Sequence, residues 1–457
     1  MGIWPDANLG LGAKSIDENQ ILGDDGFSNP DIDVSTKGGK TVLLKVPDAT
    51  MDSGGPYEIN LPSAGTQYWL LPTGRLYGKM KVVKVVGGRE TDCDGGDDFS
   101  LCNLPANSIF RQVELLVNGV NVVDTSTSNY HYKSYLETEL SYGYDAKSTI
   151  LQTAGYYKDF AASCETKKTP SSSPSTDYTT SGYALRKPLV ASSKIWSWGT
   201  SLHIDFLECP VPLPAGVNMV LKLHRNDDSF TIITDAATEF KIKLLSLEVE
   251  FRKMDYMPAK ISRDLELLES GQPYIMPFNK TKISTRVIPA GRQSFSVSDI
   301  YRGVLPQQMI LGFVNHSAFN GSKKLNPYIF ENLDIKSLVF KVNNENHPAT
   351  EYKPNWDNDD FTREYIAMHD QLGVRRLNSG IGITLKEFKK NSCFWVLDLS
   401  ADLCNNAHTH IAHTGTIGVD ITFHKDTPSA FQTIEYGVFH TALVIDKDRV
   451  CTLVDNI

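Results

Sequence analysis

Three histidines in the last quarter of the chain have the spacing of a metal site. His408 and His410 are separated by one residue, and His413 follows shortly after them. Side chains alternate between the two faces of a β-strand, so an H-x-H pair on a strand points both imidazoles toward one metal ion. Metalloenzymes built on such a pair also carry a glycine before it and a glutamate soon after it, and neither stands here. We therefore expect a polar loop at these histidines, with metal binding as the weaker alternative.

Two other segments resemble ion-binding or phosphate-binding loops. The run from Asp92 to Asp98 spaces its carboxylates like the start of a calcium loop, but Gly96 occupies a ligand position. Gly10 to Ser15 ends like a P-loop, but Asn8 and Ala13 stand where that motif needs glycine. We expect a solvated acidic loop in the first case and no phosphate site in the second.

Motifs for covalent or metal-assisted catalysis do not occur in the sequence. It contains no G-x-S-x-G elbow and no H-E-x-x-H helix. Its seven cysteines are an odd number without a C-x-x-C pair, so neither a zinc ribbon nor a complete disulfide framework fits. We expect reduced, mostly buried thiols, no catalytic residue, no cofactor and no enzymatic activity.

The charge of the chain restricts its partners. It has 45 Lys and Arg residues against 54 Asp and Glu residues, a net charge of −9, which argues against tight or sequence-specific nucleic-acid binding. No run of about 18 apolar residues is present to cross a bilayer, and no basic region followed by an apolar run opens the sequence. We expect a protein without a membrane span that is made in the cell interior and is not secreted.

Alternation of apolar and polar residues predicts β-strands through most of the chain. Residues 217–224 and 417–424 show this pattern most clearly. The long run 240–252 changes parity near Leu244, which predicts a strand with a β-bulge. Asn118-Gly119 lies between two apolar runs and predicts a hairpin with a type I′ turn.

Helices are few and short in the predicted structure. Asn129 to Gly143 and Pro258 to Gly271 carry apolar residues at helical spacing. Asn358 to Gly373 does the same, with Asn358 as the predicted N-cap. We expect Gly143 and Gly373 to terminate their helices.

The same order of elements occurs twice along the chain. In each half a strand leads to a tight turn, then to a helix, and then to an alternating strand at 202–206 or 394–398. A cysteine-containing loop, another strand and a long closing strand follow in both halves. We predict an all-β protein of two tandem eight-stranded antiparallel jelly-roll sandwiches, a double jelly roll, with a few short helices.

This duplication predicts the domain organisation. The predicted parts are an N-terminal arm at 1–50, a first jelly roll at 51–255, a linker helix at 256–271 and a second jelly roll at 272–457. The first jelly roll would carry an exposed insertion at about 144–195, because its middle, 167–182, is rich in Lys, Thr, Pro and Ser and too poor in apolar residues to pack. The arm is acidic, and both a docking role on a neighbouring molecule and a disordered tail remain open.

Several segments between residue 57 and the C-terminus are informative because of the order in which they occur along the chain. They include Ile109–Gly119, Tyr135–Gly143, Asn218–Phe230, Gly303–Pro306, Ala318–Ser322, Asp398–Cys404 and Ile445–Arg449. In this order they resemble the major capsid proteins of Polinton/Maverick elements and adintoviruses, which are double jelly-roll proteins.

The resemblance implies a structural role in a virion. It implies a homotrimer that forms a pseudo-hexameric, hexon-like capsomer, and capsomers that tile an icosahedral capsid around double-stranded DNA. The implied partners are neighbouring capsomers, a single jelly-roll penton protein and minor capsid proteins. The implied location is the virion capsid.

Two alternatives remain open from the residues alone. A glycan- or receptor-binding jelly-roll module without catalysis is favoured by aromatic residues expected on loops, at Trp196-Ser-Trp198 and from Tyr352 to Trp356. A metalloenzyme that uses His408 and His410 is the third hypothesis.

Overall fold

The fold is described from a computed structural model of the chain. The structure describes residues 35–455, except for the gaps at 48–49, 52–53, 64, 126–127, 160–181, 375–379 and 401–412. Strands predominate in this part of the chain, and helices are short.

The strands are numbered in chain order. They are β1 Thr36–Lys45, β2 Tyr57–Leu61, β3 Gln67–Val86, β4 Arg89–Asp92, β5 Ser100–Leu101, β6 Phe110–Val117, β7 Val120–Asn121, β8 Trp196–Ser201, β9 Met219–Arg225, β10 Ile232–Ile233, β11 Glu239–Tyr256, β12 Tyr274–Ile288, β13 Ser294–Val304, β14 Gln308–Asn315, β15 Ile335–Val342, β16 Glu345–Tyr352, β17 Trp395–Asp398, β18 Thr414–Phe423, β19 Phe431–Ile445 and β20 Cys451–Asp455.

The α-helices are numbered in the same way. They are α1 Pro105–Ser108, α2 Tyr130–Ser141, α3 Tyr144–Ser148, α4 Gly182–Val190, α5 Asp228–Thr231, α6 Pro258–Glu269, α7 His316–Phe319, α8 Thr362–Gln371 and α9 Leu385–Lys390. Short 3₁₀ segments lie at Ile150–Ala154, Ala191–Ser193 and Asp205–Glu208. Across the described residues, no helix is long and apolar enough to cross a membrane.

Four antiparallel sheets form the two sandwiches, two before helix α6 and two after it, and β5 and β10 pair in a separate two-stranded sheet. In the first half, sheet 1A has the order β1-β11-β3-β8, with β4 also paired to β3, and sheet 1B has the order β2-β9-β6-β7. In the second half, sheet 2A has the order β12-β19-β14-β17, with β20 also paired to β19, and sheet 2B has the order β13-β18-β15-β16. Apart from the additional strands β4 and β20, each half thus contributes two sheets of four strands connected in the same sequence, which is the predicted double jelly roll.

The turns and the bulge predicted from the sequence are confirmed. Val117 pairs with Val120 across Asn118 and Gly119, whose φ angles are 44° and 87°. Such left-handed angles are least costly for asparagine and glycine, so these residue types select the turn. The pairing of β11 with β3 shifts register between Leu244 and Ser246, at the predicted bulge.

Three local predictions are wrong. Residues 202–206 do not form a strand: the strand is β8, and Asp205 begins a 3₁₀ segment because its carboxylate is held by the second half of the chain. Gly143 has a φ of −75° and an extended conformation, so it does not terminate α2 in the left-handed manner. Asn358 is not the cap of α8, which begins after Phe361, although Gly373 does end that helix with a φ of 69°.

The sheet begins earlier than predicted. Strand β1 lies inside the segment expected to form the arm, and it pairs with β11 from Thr36 to Lys45. Its apolar residues supply the reason, because Leu44 is partly buried opposite Val249 and packs against the core. The predicted arm at 1–50 therefore includes a strand of sheet 1A at its end, and residues 1–34 lie outside the described part.

The flanks of the predicted exposed insertion at 144–195 are packed into the fold. Tyr156 and Arg186 are fully buried, and Arg186 Nε donates to the Leu101 carbonyl at 2.8 Å. Arg186 also forms an ion pair with Asp159 at 3.0 Å. The prediction of an exposed segment is wrong for these flanks, because buried ion pairs compensate their polar composition. Residues 160–181 lie outside the described residues.

Glycines let an aromatic ring approach the backbone in both halves. A Cβ atom on Gly78 of β3 would lie 2.3 Å from Trp198 Cζ2. On the equivalent strand β14, a Cβ atom on Gly312 would lie 2.5 Å from Phe330 Cδ1. These distances are far below van der Waals contact, so the rings occupy the space that any side chain would need.

We predict that Gly78→Ala lowers the free energy of unfolding by about 1–3 kcal/mol, because the added methyl group overpacks the site against Trp198. Gly38→Ala on β1 is the matched control, since a Cβ atom there has no neighbour within 4 Å. The control should leave stability unchanged or raise it by about 0.5 kcal/mol. Urea unfolding midpoints measure both, and equal effects of the two substitutions would contradict the packing described here.

Candidate functional site

Of the three histidines that the sequence singled out, the structure describes His413. His413 is exposed, and its carbonyl accepts a hydrogen bond from the Leu305 N–H at 2.9 Å. His408 and His410 lie outside the described residues. Among the residues that are described, no group of three His, Cys, Asp or Glu side chains is placed to hold a metal ion. The polar loop predicted at these histidines, with metal binding as its weaker alternative, stays a prediction.

The acidic run near residue 95 is a loop neutralised by a lysine. Lys84 Nζ donates to Asp94 Oδ2 at 2.7 Å and to Asp97 Oδ2 at 3.0 Å. The hydrogen bond from Lys84 holds the pKa of Asp94 below its ordinary value. The expected solvated acidic loop is therefore confirmed, with Asp94, Gly95 and Gly96 exposed. The cysteines within the described part of the chain are buried free thiols, namely Cys93, Cys102, Cys209, Cys393 and Cys451.

The aromatic residues that favoured a glycan-binding module are not displayed on loops. Trp196 and Trp198 lie on β8 with 8% and 2% of their surface exposed. Trp356 is buried as well, and its Nε1 donates to the Ile335 carbonyl at 2.9 Å. Tyr352 is also buried. Flat, exposed rings for stacking on a sugar are therefore absent at these positions, and that part of the alternative hypothesis is wrong.

The most unusual polar arrangement of the molecule surrounds helix α2. Every residue from Tyr130 to Leu140 is buried, although the sequence of the helix is largely polar. Buried polar and charged groups are costly unless they are paired and hydrogen-bonded. The partners of this helix come from both halves of the chain. We call the set Lys133, Glu137, His203, Asp205, Thr281 and Tyr436 the inter-half network.

Lys133 is the centre of the inter-half network. Its Nζ donates to Glu137 Oε1 at 2.6 Å, to Asp205 Oδ1 at 2.7 Å and to the His203 carbonyl at 3.1 Å. Burial lowers the pKa of Lys133, but the charges of Asp205 and Glu137 outweigh this effect and hold the pKa above its ordinary value. The lysine therefore stays charged, and its three donors are used.

Two residues of sheet 2A complete the network from the second half. The backbone N–H of Thr281 donates to Asp205 Oδ2 at 2.9 Å, and its hydroxyl donates to Asp205 Oδ1 at 3.0 Å. The Tyr436 hydroxyl donates to Glu137 Oε1 at 3.0 Å. Burial raises the pKa of Glu137, but Lys133 and His203 outweigh this effect, so the pKa of this carboxyl lies below its usual range.

A second set of charges crosses between the halves near α3. Lys147 Nζ donates to the carbonyl of Glu139 at 2.6 Å and to the carbonyl of Ile381, in the second half, at 2.7 Å. Lys158 Nζ donates to Glu387 Oε2 at 2.8 Å. The Ile381 carbonyl and the Glu387 carboxylate of the second half thus accept hydrogen bonds from lysines of the first half. These contacts fix the approach of α9 to the first sandwich.

Aromatic rings fill the remaining space between α2 and the second half. Tyr135 stacks on Tyr328, with ring centroids 4.2 Å apart, and Tyr132 stacks on Phe319 at 5.5 Å. The Tyr132 hydroxyl donates to the carbonyl of Pro327 at 3.1 Å. Aromatic pairs of this kind add to the free energy of area burial, so the contact combines apolar packing with hydrogen bonds.

His131 is a buried imidazole beside this cluster. Its ring lies 4.3 Å from the ring of Phe230, and its Nδ1 has no hydrogen-bond partner within the described residues. Burial lowers the pKa of His131 to about 3. The imidazole is therefore neutral at pH 7.

Sequence patterns did not reveal the inter-half network. The pairs Asp205–Thr281 and Glu137–Tyr436 are 76 and 299 residues apart in the chain. One local signal was present: Lys133 and Glu137 are four residues apart on one face of the predicted helix. That spacing is typical of an exposed ion pair too, so it could not indicate burial. The arrangement is an interface between the two sandwiches in which buried charges meet hydrogen-bond partners from both halves.

Solved structures with a similar fold cover nearly the whole chain. A chain of the cryo-EM structure of the Sputnik virophage matches with a TM-score of 0.58 and 10% identity, over 94% of this chain and 91% of that chain. A chain of the quasi-atomic model of the PBCV-1 virus capsid matches with a TM-score of 0.54 and 10% identity, over 94% and 99%. The Faustovirus major capsid protein matches with a TM-score of 0.50 and 9% identity, over 91% and 92%. These likenesses support the double jelly-roll fold.

Sequence comparison finds a distant relative. An uncharacterised protein of Caenorhabditis elegans is 22% identical over 357 residues, which are 77% of this chain and 81% of that protein. No protein-family model matches the chain.

We predict that Asp205→Ala lowers the free energy of unfolding by about 3–5 kcal/mol, because it leaves Lys133 with a single carboxylate and removes both acceptors of Thr281. In a double-mutant cycle with Thr281→Val, the coupling energy should be about 1 kcal/mol. Asp426→Ala, at an exposed aspartate, is the control and should change stability by less than about 0.5 kcal/mol. Strict additivity in urea unfolding would show that the contact between Asp205 and Thr281 contributes nothing to stability.

We predict a pH dependence of stability that originates at His131. Its pKa is lower in the folded chain than in the unfolded chain, so the unfolded state binds the proton more readily below pH 6.5. This contribution is complete above pH 6.5 and is lost as the pH falls toward 3. At pH 5 the loss should be about 2 kcal/mol.

The variant His131→Phe tests this assignment, because it keeps an aromatic ring beside Phe230 and removes the titrating group. Its unfolding free energy should fall less between pH 7 and pH 5 than that of the parent chain. His413→Gln, at an exposed histidine, should keep the parental slope. A parental slope in His131→Phe would refute the assignment.

Proposed function

We propose that this chain is a major capsid protein, a structural protein and not an enzyme, whose copies assemble into the capsid of a virion. The observation that carries the proposal is the repetition of one eight-stranded sandwich within a single chain. Hydrogen bonds of the inter-half network join the two copies. The solved structures of similar fold include chains of viral capsids over more than nine-tenths of this chain.

In this proposal three chains form one capsomer. Six sandwiches, two from each chain, approximate a hexagon, and such pseudo-hexameric capsomers tile an icosahedral shell around double-stranded DNA. Helix α6 is the proposed linker between the first jelly roll and the second, since the strand pairs of sheets 1A and 1B precede it and those of 2A and 2B follow it.

An asymmetry between the halves supports association with a further copy. Strand β19 of sheet 2A is buried at nearly every position, so both of its faces are covered within one chain. Its counterpart β11 in sheet 1A alternates, with Lys243, Glu248 and Glu250 partly exposed on the outward face. On the same face Leu43 is 52% exposed. A neighbouring chain that covered this face would give sheet 1A the environment that sheet 2A already has.

The charge balance is consistent with a shell that encloses DNA without gripping it. The net charge of −9 provides no excess of cations for phosphate contacts. The proposed location is the virion capsid, after synthesis in the interior of the host cell. A single jelly-roll penton protein and minor capsid proteins are the proposed further partners. The relative with 22% identity is a nematode protein, which is consistent with such genes being carried by an element that resides in an animal genome.

The proposal predicts the mass and shape of the assembled chain. The full chain, purified and measured by mass photometry, should form particles of three times the 50.8 kDa chain mass. Negative-stain images should show a hexagonal outline. We predict that Leu43→Asp reduces the fraction of these particles at least about 10-fold, because it places a charge on the face to be covered.

Val450→Asp is the matched control for this variant, since Val450 is 57% exposed on a turn near the C-terminus. It should assemble like the parent chain, and both variants should keep the parental urea midpoint. A monomer at every concentration and salt would contradict the capsid proposal. Equal assembly of both variants would contradict only the assignment of the face.

A further inference from the structure

A cavity of about 400 Å³ opens beside one edge of β8. Residues Ser197 to Ser201 of β8 line it on one side, and the 3₁₀ segment Ile150–Ala154 lines it on the other. Arg75 and Tyr77 of the neighbouring β3 also contribute to its wall. Strand β8 pairs with β3, and no other strand among the described residues pairs with it. The cavity therefore lies along a sheet edge that pairs with no further strand among the described residues.

Two residues that line this cavity each have a buried polar atom without a hydrogen-bond partner among the described residues. Thr138 is fully buried and Trp198 is 2% exposed, and both side chains line the cavity. Thr138 Oγ1 and Trp198 Nε1 make no hydrogen bond within the described part of the chain. A buried donor without an acceptor destabilises the fold. An occupant that brings an acceptor would recover that free energy.

The backbone of β8 also faces the cavity. The Gly199 carbonyl accepts a hydrogen bond from Thr153 Oγ1 at 3.0 Å, so this peptide group points away from β3. Peptide groups of an antiparallel strand alternate in direction, so those of Ser197 and Ser201 point the same way. Extended peptides bind such free edges through their backbone and place alternate side chains in pockets. The rest of the lining includes Leu104, Leu151 and Ala154, which are apolar.

We infer that this cavity is the docking site for the chain's own N-terminal segment, with Ile21 and Leu22 as the apolar anchor. The cavity takes an aliphatic side chain, and a backbone carbonyl of the segment accepts from Trp198 Nε1. A volume of about 400 Å³ accommodates one or two large side chains of this kind.

The length of the preceding chain is sufficient to reach the cavity. Thr36 pairs with Tyr256 of β11, and Arg75 pairs with Glu250 of the same strand, six residues away. This offset and the three strand spacings of sheet 1A amount to a separation of about 25 Å between Ser35 and the cavity. The 13 residues from Leu22 to Ser35 extend to about 43 Å.

Charge favours the same segment. Ile21 and Leu22 stand between two acidic pairs, Asp17-Glu18 and Asp24-Asp25. Arg75 at the wall of the cavity is the complementary cation. An apolar pair flanked by carboxylates thus matches an apolar cavity with a cation beside it.

A cross-link tests the inference in the full-length chain. Ser197 is exposed on β8, so Ser197→Cys can meet Leu22→Cys under mild oxidation. We expect an intramolecular disulfide to form at least about 10-fold faster in this double variant than in the control pair Leu22→Cys with Ser294→Cys, an exposed position on β13. The native cysteines at described positions are buried, and peptide mass spectrometry identifies which thiols have joined.

Hydrogen exchange supplies a second readout that needs no new cysteine. Ile21→Asp combined with Leu22→Asp should raise the exchange rates of the Ser197–Ser201 amides at least about 10-fold. Ile3→Asp, at another apolar residue of the same segment, should leave them unchanged. No preference between the two cysteine pairs, a disulfide mainly between different chains, or unchanged exchange would each overturn docking by the chain's own segment.

The inference depends on the cavity and not on assembly. Both experiments are performed on every oligomeric fraction that the chain forms. Capsomers without the cross-link would refute the docking and leave the proposed function intact. A cross-linked chain that never forms trimers would refute the proposed function and leave the docking intact.

Discussion

The structure depends on the burial of a charged helix between two sandwiches. Helix α2 cannot be transferred from water unless each of its charges meets a partner, and those partners belong to different parts of the chain. Lys133 is satisfied only when Asp205 lies beside it, and Asp205 in turn accepts both donors of Thr281. The relative position of the two sandwiches is thereby specified by directional bonds, where apolar packing alone would tolerate sliding.

This mode of joining explains why one architecture appears twice with different surfaces. Sheets 1A and 2A have the same strand order, yet β19 is covered on both faces and β11 is not. The second sandwich contributes its sheet face to the contact, whereas the first contributes a helix and a 3₁₀ segment. Two equivalent units therefore meet through unlike surfaces, which is a head-to-tail contact. Contacts of that class close into rings when repeated with a suitable rotation.

Local patterns predicted the strands and turns well because their causes are local. Asn118-Gly119 selects its hairpin through backbone angles that few other residues accept, and the parity change near Leu244 follows directly from a bulge. The double jelly roll followed from the order of such elements. The strand predicted at 202–206 is wrong because Asp205 is held by Thr281 of β12, and a short stretch of sequence around residue 205 does not include that partner.

The candidate site was much less accessible to sequence reasoning. Glu137 and Tyr436 are unremarkable residues in isolation, and only the tertiary fold places their oxygens 3.0 Å apart. The histidines that drew attention have a conspicuous spacing, but spacing carries no information about burial or about the third ligand. Likewise, the spacing of Trp196 and Trp198 predicted aromatic residues on a binding loop, whereas in the structure both lie on β8 and are buried. The conspicuous histidines and tryptophans thus gave less information about the site than the polar helix α2, whose sequence contains no recognisable motif.

The distance along the chain between Glu137 and Tyr436 also determines when their contact can form during biosynthesis. A ribosome that adds about 5–20 residues per second completes α2 roughly 15–60 s before it reaches Tyr436, which lies 299 residues later. During that interval Glu137 lacks its partner Tyr436, and the side of α2 that the second half covers remains in contact with water. The first sandwich can form its sheets early, but its helix can be enclosed only near the end of translation. Nascent chains released early would therefore expose the surface on which the finished halves are joined.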